Sequence, residues 1–237
     1  MKPSSLMTFT FAAVRRAGRI DSFGRLPILL GMNAPLRQPD ITRSRLLECA
    51  FDEIHKRGFR AASLDAILEK SGVTKGALYH HFDNKAALGY AVLDELIRPY
   101  MQAHWLPLLA ADDPITVAIA GLKKRRDRLK ERLLAYGCPF NNLAQEMSPI
   151  DEGFRTRLHG IQSEWMNALR DALERGKTLG RVRADLHCEP AATFIVSAIE
   201  GLIGMGKAAQ STALYEQGLR GLIDYLEHLR PATEARA

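Results

Sequence analysis

From Ile41 onward, apolar side chains recur every third or fourth position, the spacing that gathers them on one side of an α-helix. Leu47, Ala50, Phe51 and Ile54 form the first such stripe, and Gly58-Phe59 closes it. Ser63 then stands where an N-cap belongs, with Asp65 in the next turn to meet the helix dipole. Leu64, Ile67 and Leu68 give this short second helix its apolar face. Ser71-Gly72-Val73 interrupts it: Gly72 can take the left-handed conformation that ends a helix, and Val73 can tuck inward. Thr74 caps a third short helix reaching about His81. Longer periods follow Asn84. Lys85 to about Leu109 reads as one helix, with Pro99 and Pro107 as kinks or ends. Asp113-Pro114 opens another that reaches Gly137, proline being favoured in a first turn. Asn141 to Met147 is short and Asp151 to about Thr178 is long. Glu189-Pro190 opens a largely apolar helix to about Lys207, and Leu214 to Leu229 makes the last. Strand-like alternation is absent, so the pattern predicts an all-α fold: three short helices over residues 41–90, then a larger helical domain over 91–232. Residues 1–40 show neither period and are interrupted by Pro3, Gly18, Gly24, Pro27, Gly31, Pro35 and Pro39, so they predict a disordered basic arm.

Composition adds exclusions. At 46% apolar and 25% charged over 237 residues, with 18 Gly and 11 Pro, the chain is ordinary globular material, not collagen, low-complexity sequence or a disulfide-stapled miniprotein. No run of about 18 uncharged apolar residues occurs, so no membrane-spanning helix is expected. Cys49, Cys138 and Cys188 are odd in number and unrelated in spacing, as free thiols of a reducing compartment are, which points to the cytoplasm. The net charge of +6 is uneven. Residues 1–40 carry +4 and residues 41–90 carry +2 with three histidines, whereas 91–237 hold nineteen charges of each sign. A basic N-terminal third on a neutral body points to a polyanion partner at one end. Arg15, Arg16, Arg19 and Arg25 faintly resemble a transit peptide; translation from Met32, with Met1 to Gly31 as upstream sequence, ranks ahead of targeting.

The second and third helices, joined by a tight glycine-containing turn, make a helix-turn-helix unit. In the third, Leu78 and Phe82 face inward with Ala77 beside them, while Lys75, Gly76, Tyr79 and His80 fall opposite as two pairs four residues apart. That outer face presents a cation, a phenol, an imidazole and bare backbone, groups suited to phosphates and base edges. A polar face turned merely to water is the alternative for such a helix alone; the preceding turn favours DNA.

Residues 41–90 resemble the DNA-binding domain of TetR-family transcriptional regulators. Arg45, Leu46, Gly58-Phe59, Ser63-Leu64 and Ile67 carry the resemblance, with the run from Ser71 to Phe82, Asn84-Lys85 and Leu88. Leu68 departs from it, standing where the family usually has a small alanine, which bears on how the two helices pack. The resemblance implies that Ser63, Thr74, Tyr79, His80 and Lys85 contact phosphates and that Lys75 and Gly76 lie at or near the bases. It also implies a homodimer on a palindromic operator in double-stranded DNA, with the C-terminal helices forming both a small-molecule inducer pocket and the dimer contact. Ala191, Ala192, Ala198, Gly201 and Gly204 suit close helix approach there, and Phe194, Ile195, Ile199, Leu202 and Ile203 supply apolar area. A helix buried within its own chain is the alternative for that segment.

The stretch from Gly137 to Glu146 resembles, through G-C-P-x-x-N-L-A-x-E, a subgroup of these repressors whose corresponding cysteine lies near the inducer cavity and in some responds to electrophiles or oxidants. A thiol just before a helix start can have its pKa lowered by the helix N-terminus, which makes Cys138, with Phe140 and Asn141, a candidate sensing corner. A small buried residue packing a tight corner is the other reading. Met101, Trp105 and Trp165 are candidate cavity-lining residues or plain core. Lys123 to Arg132, with Leu129 and Leu133 interspersed, reads as a solvated helix face. His80-His81 lacks partner ligands at metal spacing, and no Walker loop, dinucleotide fingerprint or nucleophile elbow occurs, so neither metal nor cofactor is expected. The expectation is a ligand- or electrophile-responsive repressor and not an enzyme. Its rivals are an activator or inducer-independent DNA binder, and a thiol-dependent enzyme with a vestigial helix-turn-helix.

Overall fold

The computed structural model describes residues 38–232, with the side chains of residues 38–39 and 127–133 outside the description. The expected disordered arm therefore lies outside the described residues up to residue 37, with the Met32 start and the side chains of Leu129 and Leu133, while its last three residues, 38–40, are helical. Helices α1 (Gln38–Arg57), α2 (Leu64–Ser71) and α3 (Lys75–His81) form the N-terminal unit. Next, α4 (Lys85–Val92) runs through a π-helical turn (Leu93–Ile97) into α5 (Arg98–Leu109). The body is completed by α6 (Pro114–Tyr136), α7 (Pro139–Met147), α8 (Glu152–Thr178), α9 (Cys188–Ala209) and α10 (Thr212–Glu227), with no strand among the described residues.

Local chemistry sets the boundaries. Ser63, Thr74 and Asn84 each accept a hydrogen bond from the backbone N–H three residues on, so α2, α3 and α4 all start on a side-chain cap. Gly72 ends α2 in the left-handed conformation at φ 66° and returns its N–H to Leu68 O. Helix α1 begins at Gln38, three residues before the apolar period does, with Asp40 in its first turn.

The single helix expected from Lys85 breaks upstream of its prolines. In a regular α-helix the Pro99 ring would crowd the carbonyl four residues back, and Pro99 has no N–H to give it. The chain widens instead over Leu93–Ile97, where the Arg98 N–H reaches Leu93 O, five residues back. Leu93, Leu96 and Ile97 are all buried there, so the π-turn belongs to the core. Pro107 sits inside α5, two residues from its end.

One apolar cluster runs from Leu46 in α1 to Leu229 beyond α10, joining the N-terminal unit to the body. Within the body, α8 packs on α5 and α9, and α9 also on α6 and α10. Contrary to the run-length criterion, α9 is long and apolar enough to cross a membrane by length and composition alone. It lies among α6, α8 and α10 and carries a buried Glu200, the setting of a core helix. Its period also divides the residues expected at a dimer contact. Ala191, Ala192, Ile195 and Ile203 are buried within the chain, whereas Phe194, Gly201 and Gly204 are exposed and Ala198, Ile199 and Leu202 half-buried. Gly206 and Lys207, expected to end this helix, lie inside it. A Cβ on Gly206 would meet Leu134 and Tyr215 at 3.0 and 3.1 Å, and the helix ends with Gln210 at φ 48°.

Candidate nucleic-acid interface

Leu78 and Phe82 anchor α3 to the core, and Arg43 from α1 places its guanidinium over the Phe82 ring at 5.2 Å. The same guanidinium pairs with both oxygens of Glu95 in the π-turn, each at 2.5 Å. Thus α3 is fixed from behind, and its front carries Lys75, Gly76, Tyr79 and His80, all exposed. Nothing lies within 4 Å of where a Cβ on Gly76 would stand, so the backbone is bare on that side.

The two cap residues combine two roles. Ser63 and Thr74 are exposed, and each uses an oxygen lone pair on its own helix, which leaves the hydroxyl proton to donate outward. Both stand at helix N-termini, where the dipole favours an anion. Lys85 is tied down: its ammonium donates to Arg60 O at 3.1 Å and lies over the Phe59 ring at 5.0 Å. Its remaining N–H groups stay available to an anion beside the N-terminus of α4. Leu68 is half-buried against the core.

Behind this face, α7 and the turn before it join the unit to the body at two points. His55 at the end of α1 donates from Nε2 to Gly137 O at 2.9 Å. Glu146 accepts from the backbone N–H groups of Phe59 and Arg60, both at 2.8 Å. Gly58, at φ 81°, makes room, since a Cβ there would stand 2.9 Å from the Glu146 carboxylate. Asn142 donates to Tyr136 O at 2.6 Å and accepts from Lys207 Nζ at 3.2 Å, tying α7 to α6 and α9. No role is expected from the sequence for His55, Asn142 and Glu146; the signals available were the asparagine and glutamate of the G-C-P-x-x-N-L-A-x-E motif, which are Asn142 and Glu146, and the glycine before Phe59.

The chain matches the N-terminal pattern described as bacterial regulatory proteins of the tetR family over residues 46–92. Residues 119–222 match the tetracyclin repressor-like C-terminal domain. The probable HTH-type transcriptional regulator ArpR of Pseudomonas putida is 30% identical over 173 residues, covering 69% of this chain and 79% of that protein. The chain belongs to the TetR family. It is accordingly a DNA-binding transcriptional regulator, and the relatives it matches are named as regulators. The HTH-type transcriptional repressor DhaR of a Mycobacterium species is 27% identical, with 81% of this chain and 94% of that one aligned. The fold is shared with a TetR-family regulator of Cytophaga hutchinsonii at a TM-score of 0.72 and 21% identity, over 84% of this chain and all of that one.

In this TetR-family chain the residues expected to sense a ligand are brought into the body's interior. Met101, Trp105, Phe140, Trp165 and Cys138 are buried and Asn141 is half-buried. Helix α7 starts at Pro139, two residues earlier than expected, which makes Cys138 its N-cap. The lowered thiol pKa expected there is corrected by the structure. Burial dominates and a neighbouring Glu200 adds to it, pushing Cys138 up to about 12 despite Arg125 and the Asn141 N–H. Burial likewise raises Cys49, and Cys188 to about 11.

A second correction concerns the charged run of α6. Lys123 and Lys124 are exposed, but Arg125 is buried. It continues the stripe of Ile115, Ile119 and Leu122, which turns it inward by helical period alone. Glu200 is buried on α9 for the same reason, between Val196 and Ile203. Arg125 has Tyr100 of α5, Cys138, Glu200 and Tyr215 of α10 as electrostatic neighbours. His104, one turn beyond Tyr100, is held down to about 3 by burial and by Arg125, and its Nδ1 donates to Tyr100 O at 2.7 Å. A charge on an apolar stripe was the signal available for both residues.

Proposed function

We propose that this regulator is a repressor that binds operator DNA as a homodimer, with α3 in the major groove, and is released when a small molecule enters the C-terminal body. The outward face of α3 carries the reading. In this reading Lys75 and bare-backed Gly76, both exposed, meet base edges, while Tyr79, His80, Lys85 and the capping hydroxyls of Ser63 and Thr74 meet phosphates. The exposed side of α9 supports the dimer. Phe194 and Met205 are large exposed apolar groups, and Gly201, Gly204 and Gly221 have open space where a Cβ would stand. Two recognition helices about 34–36 Å apart would read a palindrome. Three free, buried thiols suit a reducing compartment such as the cytoplasm. With the thiols held protonated, a non-covalent inducer is favoured over alkylation of Cys138 and over thiol-dependent catalysis.

The test starts from duplexes selected from random DNA by the purified chain. Tyr79→Phe should weaken binding to the selected site by about 0.5–1.5 kcal/mol, the worth of one phosphate hydrogen bond. Lys75→Ala should flatten the dependence of log K on log salt by about 0.9 if that ammonium meets a phosphate, or relax sequence preference if it meets a base. Affinity, salt slope and preference unchanged in both variants would overturn the placement of α3.

A further inference from the structure

We infer that the C-terminal body holds a site for a small carboxylate that also carries a hydrogen-bond donor, a hydroxy or amino acid seated between Arg125 and Glu200. This rests on the inducer reading above and names the chemistry of the inducer.

Arg125 is enclosed, yet its Nε and Nη2 have no hydrogen-bond partner. Those two N–H groups form one edge of the guanidinium fork, the edge that matches both oxygens of a carboxylate. Glu200 is enclosed as well, with only the Cys138 thiol to donate to it and neither oxygen bonded to Arg125. The two charges are neighbours from facing helices, but they do not hydrogen bond to each other. Buried polar atoms are rarely left so, and an ion pair whose only task is to hold helices together closes on itself. The indole N–H of Trp105 is a further buried donor without a partner.

The occupant's chemistry follows by elimination. A plain anion would satisfy Arg125 and be repelled by Glu200; a plain cation would meet the reverse. An apolar molecule would leave both stranded. A carboxylate with a hydroxyl or ammonium group satisfies both at once, its oxygens toward Arg125 and its donor toward Glu200. The site is also well placed to act. Cys138 neighbours both charges and stands at the N-cap of α7; Gly137 O just before it and the Glu146 carboxylate on α7 hold the DNA-binding unit. An occupant that draws Arg125 and Glu200 toward itself moves the corner from which α7 starts.

Thermal unfolding and titration calorimetry on the full chain test this with four millimolar probes: L-lactate, L-alanine, propionate and lactamide. Lactate or alanine should raise the unfolding midpoint by a few degrees. Propionate lacks the donor and lactamide lacks the carboxylate, so each should bind at least about tenfold more weakly. Arg125→Met should abolish the shift and, without ligand, melt below the wild type, because Glu200 is left buried beside no cation; adding Glu200→Gln to it should recover stability without recovering binding. Glu200→Gln should weaken alanine more than lactate if an ammonium sits there. Lactamide binding as tightly as lactate, no probe shifting the wild type, or both single variants keeping wild-type binding would overturn the assignment. Release of the selected duplex is read separately. Binding without release would break the inducer reading while the site stands; release by an apolar compound, with no carboxylate bound, would break the site alone.

Discussion

The N-terminal unit and the C-terminal body treat polar side chains in opposite ways. In α1–α3 they cap helices, pair across the unit, as Lys70 does with Asp52, or stand exposed on the front of α3. In the body, Arg125 and Trp105 carry N–H groups into the core and leave them without partners, Glu200 has only the Cys138 thiol, and His104 is held neutral by burial. The first pattern presents finished chemistry to a large rigid polyanion. The second holds hydrogen-bonding capacity that the chain itself does not use. The two patterns lie in different parts of one continuous core.

Acid should expose the difference most strongly. Below pH 6.5 the unfolded chain protonates His104, while the folded chain resists until about pH 3. Stability is therefore lost as pH falls through that window, by as much as about 4–5 kcal/mol from this one group. Urea unfolding followed across the window should show the slope shrink in His104→Leu; an unchanged slope would mean the histidine is hydrated. The junction between the regions comes next. Glu146→Ala strands the Phe59 and Arg60 N–H groups and should cost about 1–3 kcal/mol in chemical unfolding, with loss of operator affinity as the unit loosens. Equal affinity at reduced stability would show that the junction is structural only. The smallest effect runs the other way. Gly76→Ala adds a methyl into open space on a helix and should stabilise the chain by about 0.4–1 kcal/mol while weakening DNA binding, if close backbone approach is what that glycine provides.

The recognition unit was legible in the sequence because its determinants are local. Ser63, Gly72 and Thr74 act on residues within four positions of themselves, and the structure finds each in its expected role. The long helices were legible in extent, but their faces and irregularities were not. The π-turn depends on how a helix already committed to the core accommodates Pro99, and Ala191 and Gly201 part company only once neighbouring helices are in place. Arg125 was hidden by its neighbours in sequence, since a run of charges reads as a solvated face unless each is placed on the wheel. Cys138 shows a competition that no local pattern resolves. The helix N-terminus is where it was expected, and burial outweighs it.

The bond from Glu146 to the amides of Phe59 and Arg60 bears on how such a protein can be recombined. A DNA-reading head looks like a cassette, to be cut out near residue 92 and grafted onto another sensor. Here part of its scaffolding is supplied from a residue more than fifty positions further on, and Gly58 is shaped to receive it. A chimera joined in the linker would inherit a receptor without its plug. Exchanging heads between relatives would succeed only where the donor of α7 and the donor of the Gly58 turn are the same parent.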